Sequence, residues 1–202
     1  MKRLIKVKCY VKASEIFFIE HIDKKIQMFP GELPNLIYFL SSASPYIKRL
    51  VLSELDWLSS IIDTELDEVL SQIIISCRNK IRDDSLSQIR IAKRRTILAI
   101  ALADFGKIFN LMGVTNALSV FADKILELVM DLYTFNEFQR VDYRPFFKKL
   151  DYYPKNISNS AQDVGLFALG MGKLGSFELN YSSDIDLIFQ QIILFRYYFY
   201  FH

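Results

Sequence analysis

The segment Gly165-Leu-Phe-Ala-Leu-Gly-Met-Gly-Lys-Leu-Gly-Ser-Phe-Glu-Leu-Asn-Tyr-Ser-Ser-Asp-Ile-Asp-Leu-Ile-Phe189 constrains the fold of this chain more than any other. Val164 to Met171 is a short apolar run bounded by Asp163 and Gly172, with the length and flanks of a buried strand, and Ile185 to Ile193 is a second such run. Gly170, Gly172 and Gly175 crowd the space after the first run, in a chain that holds only seven glycines. Glycine lets the backbone turn sharply and approach other groups closely, so a strand, a glycine/lysine turn and a second strand are expected here.

Ahead of this segment the periodicity is of another kind. From Ser14 to about residue 134 apolar residues recur at three and four rather than at two, which predicts helices. Ser44-Pro45 before Tyr46, Leu50, Val51, Leu55 and Leu58 reads as a capped helix with proline in its first turn and Trp57 in the core beside it. Asp63 or Thr64 is placed to cap a helix carrying Leu66, Val69, Leu70, Ile73 and Ile74, and Asp83-Asp84-Ser85 punctuate before a longer helix over Leu86 to Phe109. Gly113 and Thr115 introduce another, with Leu118, Phe121, Ile125, Leu128, Val129 and Leu132 on its apolar side. Short polar turns between these segments predict an antiparallel helical bundle over residues 1–134. Residues 135–163, with Pro145, Pro154 and the polar run Asn156 to Asp163, read as a linker or packed loop.

Composition narrows the function classes. The 202 residues suffice for one well-buried core, or for a helical domain plus part of a second. A formal charge of +2, with Lys and Arg spread evenly, argues against a surface that coats DNA or RNA. Cys9 and Cys77 lie far apart without metal-ligand spacing, so neither a disulfide framework nor a zinc site is indicated and a cytoplasmic location is expected. Lys6, Lys8 and Lys12 interrupt any signal-peptide core, and the longest uncharged apolar run, Leu187 to Phe195, stops at Arg196, which argues against a membrane span. Lys93-Arg94-Arg95 is read as a solvated helix face, and His21 and His202 as surface histidines.

The glycine segment carries the chemistry. Gly170-Met-Gly-Lys-Leu-Gly175 matches Gly-x-Gly-x-x-Gly, but only eight residues separate Gly175 from Asp184, too few for the crossover helix of a dinucleotide-binding unit. A Walker A loop fails as well, because Met171-Gly172 stands where Lys-Ser/Thr is required. The alternative uses the acids. Asp184 and Asp186 lie two apart at the start of a strand, which puts both side chains on one face with their Cβ atoms about 6.6 Å apart, and Ile185 and Leu187 facing the core. Such a pair is suited to hold one or two Mg²⁺ ions on phosphate oxygens. Lys173 would act as a point charge on those oxygens, while Gly170, Gly172 and Gly175 bring backbone close and supply N–H donors. Ser182 and Ser183 favour capping the turn into the strand, with Ser183 and Ser176 kept among the candidate phosphate contacts. Glu178 reads as a turn residue near Lys173.

At these residues the chain resembles the glutamine synthetase adenylyltransferase/adenylyl-removing family, within the polymerase-β-like nucleotidyltransferases. The superfamily pattern is a Gly-Gly or Gly-Ser step followed some ten residues later by Asp-x-Asp, and here Gly172-Lys173, ten residues and Asp184-Ile-Asp186 fit it. The family form Gly-x-Gly-Lys-Leu-Gly…Glu-Leu-Asn-Tyr-Ser-Ser-Asp-x-Asp-Leu matches nearly throughout. Ser44 to Leu52 and Arg90 to Thr96 are also similar to family helices. Family members carry two catalytic halves, and Asn180 and Ser182 resemble the N-terminal copy. The resemblance implies an α+β fold, predominantly α: a helical bundle followed by the first strands of a nucleotidyltransferase domain, incomplete over 164–202. It implies the deadenylylating half, which removes AMP from a glutamine synthetase tyrosine by phosphorolysis and gives ADP. Mg²⁺ at Asp184 and Asp186, ATP or ADP as nucleotide, and glutamine synthetase and a PII protein as partners follow from the same resemblance.

The chain departs from the family at Ser176, where a second glycine is usual, and at Phe177, where arginine is common. After Phe189 the resemblance stops, and the run Gln190 to His202, with one charge in thirteen residues, reads as a shifted or prematurely terminated frame. With no third carboxylate to complete the metal site, negligible catalysis by this polypeptide alone is expected. The tail's β-propensity also makes it an aggregation hazard if exposed. Two other readings remain: a noncatalytic helical module that binds glutamine synthetase or a PII protein, and another nucleotidyltransferase such as a PII uridylyltransferase, which the Glu-Leu-Asn-Tyr-Ser-Ser segment disfavours.

Overall fold

The computed structural model describes residues 2–9, 23–82, 84–139 and 157–191. The expectations for Pro145, Pro154, His21, His202 and the aromatic tail beyond residue 191 fall outside these residues. The fold is α+β and predominantly α, in two compact units: Met1–Phe121 with Leu179–Tyr181, and Ala122–Glu178 with Ser182–His202.

The first unit is helical. After a 3-10 turn at Leu4–Lys6 come α1 (Asp23–Gln27), α2 (Leu33–Ala43), α3 (Pro45–Ile61), α4 (Leu66–Lys80), α5 (Ser85–Phe105) and the start of α6 (Leu111–Gln139). Leu36, Ile37 and Leu40 of α2, Leu58 of α3, and Leu66, Val69 and Ile73 of α4 are buried, and α5 packs on α2, α3 and α4. Every residue from Thr96 to Ala103 is buried, so the second half of α5 is surrounded by protein.

Local chemistry sets the helix ends, in places differently from the sequence reading. Ser44 Oγ accepts the Ile47 N–H at 3.3 Å and Pro45 opens α3, as expected. Neither Asp63 nor Thr64 caps α4. Its Leu66 N–H donates instead to the Lys2 carbonyl at 2.8 Å, while Asp63 and Glu65 bind Arg3 at 2.9 and 3.4 Å. Asp84 Oδ1 accepts the Ser87 N–H at 3.1 Å and starts α5. That helix ends four residues before Phe109, because the Gly106 N–H closes on the Leu102 carbonyl at 3.0 Å and Lys107 turns left-handed at φ 57°. Helix α6 begins at Leu111 rather than at Gly113, since Asn110 Oδ1 accepts the Gly113 N–H at 2.8 Å, and it runs on to Gln139.

The larger correction concerns charge. Arg94 and Arg95 are not on a solvated face. Their Nε atoms donate to Oε1 and Oε2 of Glu54, each at 2.8 Å, and Glu54 is only 4% exposed. Glu54 sits where α3 departs from helical geometry, at φ −121° and ψ 17°. Arg95 also lies 5.2 Å from the ring centroid of Trp57, which is half-buried rather than in the core.

The second unit holds the latter part of α6, a short helix α7 (Ser160–Asp163), β1 (Leu166–Gly170), a helical turn α8 (Gly172–Gly175) and β2 (Leu187–Gln191). The strands pair antiparallel in the register Leu166↔Gln191, Ala168↔Phe189 and Gly170↔Leu187. Both are shorter than the apolar runs predicted, and they are not buried strands. Leu169, Ile188 and Phe189 are 46, 43 and 57% exposed, because two strands make one ladder and bury little by themselves. Among the described residues no helix is long and apolar enough to cross a membrane.

Candidate functional site

The glycine segment folds as strand, turn and strand, with the turn as a single helical turn. Strand β1 delivers Gly170 to Met171, which is extended at φ −101° and ψ 166° and precedes α8. Gly172 takes φ +54°, a conformation L side chains rarely adopt. At Gly175 a Cβ would collide with the Gly170 carbonyl oxygen, so turn and strand meet at a distance that glycine alone permits. Leu174 is buried beneath the turn and anchors it.

Asp186 is brought back to this turn. The Met171 N–H donates to the Asp186 carbonyl at 2.9 Å, and Asp186 Oδ2 lies 3.8 Å from the position a Gly172 Cβ would occupy. Sequence reasoning placed both acids at the start of the strand and Ile185 toward the core. The structure puts Asp184 and Asp186 just before β2 and leaves Ile185 exposed, because the chain reaches the ladder only at Leu187. Asp184, Asp186 and Lys173 are all exposed, and none forms a salt bridge among the described residues.

The remaining candidates have local roles in the turn. The Gly175 N–H is directed at the Met171 carbonyl at 3.4 Å and the Ser176 N–H donates to the Gly172 carbonyl at 3.1 Å. Ser176 Oγ lies 3.1 Å from the Gly172 carbonyl and 3.3 Å from Glu178 Oε2, and the Glu178 N–H donates to the Lys173 carbonyl at 2.8 Å. Phe177 is left-handed at φ 59°. Ser183 is half-buried.

A cavity of about 410 Å³ lies in the same unit, between Leu126, Met130 and Asp123 of α6 and Leu169, Leu174 and Phe177 of the hairpin. Partial loss of water there raises the Asp123 carboxyl above its ordinary value, an effect that neighbouring Lys124 opposes. Asp184 and Asp186 do not line this cavity.

The donor set suits magnesium. Hard carboxylate oxygens are its usual protein ligands, and it commonly takes only one or two, filling the rest of its shell with water and substrate phosphate. Asp184 and Asp186 would hold such an ion, with Asp186 already over the turn. Among the described residues no group of three or more His, Cys, Asp or Glu side chains is arranged to hold a metal.

Sequence reasoning missed the residues that secure the segment. Asp131 of α6 is buried, and its two oxygens accept the N–H groups of Asn159 (3.0 Å) and Ala161 (3.1 Å), fixing the start of α7 ahead of β1. In the helical unit, the Leu179 N–H donates to Ser119 Oγ at 3.4 Å and the Tyr181 hydroxyl to Asp104 Oδ2 at 3.3 Å. These partners lie 28 to 77 positions apart, so no local pattern announces them.

Comparison with known proteins bears on the same region. A family model described as glutamate-ammonia ligase adenylyltransferase matches residues 35–191, well over half of the chain. The chain is similar to bifunctional glutamine synthetase adenylyltransferase/adenylyl-removing enzymes. The Agrobacterium fabrum protein is 33% identical over 175 residues, covering 80% of this chain and 16% of that relative. For Bartonella henselae the identity is 32% over 167 residues, 78% of this chain and 16% of the relative, and for Rhizobium meliloti 30% over 179 residues, 84% and 17%. The chain therefore spans only 16 to 17% of the length of these relatives. No solved structure matches it.

Proposed function

This chain belongs to the glutamate-ammonia ligase adenylyltransferase family, and from that membership we propose that it contributes the nucleotide site of an adenylyl-removing half. The observation that carries the proposal is the Asp186 carboxylate lying over Gly172, with the Met171–Asp186 bond closing the turn onto the acid segment. Asn180 and Ser182, which resemble the N-terminal catalytic copy, support the deadenylylating direction over the adenylylating one.

In the proposed reaction an oxygen of inorganic phosphate attacks the α-phosphorus of adenylylated tyrosine on glutamine synthetase. The bond to the phenolic oxygen breaks, the tyrosine regains its proton from solvent, and ADP leaves. Transfer of this type asks mainly for in-line positioning and for stabilisation of charge on the phosphoryl oxygens. Lys173 provides a compact cation, and the glycine backbone allows close approach. Asp184 and Asp186 would hold Mg²⁺, which when bound neutralises phosphate charge. Gly170, Gly172, Gly175, Ser176 and Ser183 form the surrounding turn and loop, with the Ser176 hydroxyl held by the Gly172 carbonyl. A PII protein is the proposed regulator and the cytoplasm the proposed location, both on the strength of the family resemblance.

Calorimetric titration of the chain with ADP and MgCl₂ tests the reading. Magnesium-dependent binding that Asp184→Asn or Asp186→Asn weakens at least ten-fold is expected. Binding indifferent to both substitutions would remove the basis for the site, and capture of glutamine synthetase that survives Asp184→Ala with Asp186→Ala would instead favour the noncatalytic module.

A further inference from the structure

Between the glycine turn and the acids the chain passes through a three-residue segment, Leu179–Tyr181, that belongs to the helical unit. Leu179 is buried at 4% exposure, although it is flanked by exposed residues on both sides. Its N–H donates to Ser119 Oγ, itself fully buried on α6 and donating to the Thr115 carbonyl at 2.8 Å. Two residues on, the Tyr181 hydroxyl donates to Asp104 near the end of α5. Partial burial and the adjacent Asp104 carboxylate raise the Tyr181 phenol well above its ordinary value, in keeping with its role as the donor of this bond. Lys173 lies six residues before Leu179 and Asp184 three residues after Tyr181.

We propose that Tyr181, through Asp104, and Leu179, through its buried side chain and Ser119, are positioning residues that hold by its middle the loop carrying Asp184 and Asp186. A loop of this length, fixed only at its strand ends, would sample many conformations, and each would move the carboxylates. Anchoring its centre removes most of that freedom before any ligand arrives, which is the way preorganisation lowers the cost of binding. The relevance of the anchor to a nucleotide rests on the reading of Asp184 and Asp186 given above. Its effect on the loop does not.

Hydrogen exchange of the full chain at short labelling times, read by mass spectrometry, tests the anchor. Tyr181→Phe keeps the ring and removes only the donor. It is expected to speed exchange at Ser182–Asp186 about three- to five-fold, the consequence of losing one net hydrogen bond, with α3 to α5 unchanged. Asp104→Ala, which removes the acceptor, should do the same, and the double variant should go no further than either single one, since both remove one interaction. Unchanged exchange at Ser182–Asp186 in Tyr181→Phe, or equal acceleration across the whole helical unit, overturns the proposal. Titration of the same proteins with ADP and MgCl₂ separates the two readings. Binding weakened a few-fold by Tyr181→Phe and lost in Asp184→Asn supports both. A loop that loosens in a chain whose wild type does not bind ADP keeps the anchor and discards the nucleotide site.

Discussion

The helical unit and the hairpin contrast in how their apolar residues are used. In the helical unit Leu33, Ile37, Leu58, Leu98, Ile100 and Leu102 are completely buried, and one helix, α5, has protein on every side over its second half. In the hairpin Leu169, Ile188 and Phe189, equally apolar, remain about half exposed. Hydrophobic stabilisation follows the area removed from water, so the same residue types hold one region together and contribute little to the other. The hairpin relies instead on backbone pairing, on Leu174 beneath the turn and on the Asp131 acceptors ahead of β1.

Substitutions can break this contrast. Leu98→Ala in the middle of α5 is expected to lower stability by about 2–5 kcal/mol in urea denaturation, as deletions of fully buried leucines do. Leu169→Ala should cost well under about 1 kcal/mol on the same scale, because much of the side chain is already in water. Equal costs would mean that the hairpin is packed as tightly as the bundle and would end the comparison.

Glu54→Ala comes next. Removing a buried carboxylate strands two guanidinium groups, but Arg94 and Arg95 keep some solvent contact, so a loss of about 2–3 kcal/mol is expected rather than the larger values seen for fully buried pairs. Far-ultraviolet circular dichroism on urea titration measures it. A null result would show that the kink in α3 is set by packing and not by charge.

In the other unit Asp131→Ala should cost about 2 kcal/mol locally, through loss of two charge-assisted bonds to backbone amides. Proteolysis within 157–170 should accelerate while the thermal transition of the helical unit stays in place. A shift of the whole transition would contradict the separate roles assigned to the two regions.

The smallest effect concerns pH. The Asp123 carboxyl is raised above its ordinary value of 3.8, so its ionised form is disfavoured in the fold. The stability that the protonated group permits is fully present below pH 3.8 and is lost as pH rises through the elevated folded-state value. Asp123→Asn, which cannot ionise, should therefore melt slightly higher than wild type at pH 7 and no higher at pH 3, measured by differential scanning fluorimetry.

Much of the bundle is legible in the sequence because helices advertise themselves locally. The spacing of Leu50, Val51, Leu55 and Leu58, with Ser44-Pro45 ahead, identifies α3, its start and its buried side together. The glycine turn is legible for a related reason, since Gly172 and Gly175 answer to backbone demands that no other residue meets. What escapes is whatever depends on partners distant in sequence. Nothing near Glu54 indicates that Arg94 and Arg95 will meet it 40 and 41 positions later, and three consecutive cations look the same whether they face water or a carboxylate. Likewise Asp184-Ile-Asp186 has the alternation of a strand, yet the paired strand starts only at Leu187: the Met171 N–H still reaches the Asp186 carbonyl, but the opposite segment turns away at Gly172, φ 54°. Leu179 and Tyr181 sit in a polar loop by composition, and only the coordinates show that one is buried and the other bonded to α5.

The close approach of Gly175 to the Gly170 carbonyl limits what this turn can carry. A Cβ at position 175 would overlap that oxygen, so any other residue there would have to push α8 away from the end of β1 and, with it, shift Gly172 relative to the Asp186 carboxylate.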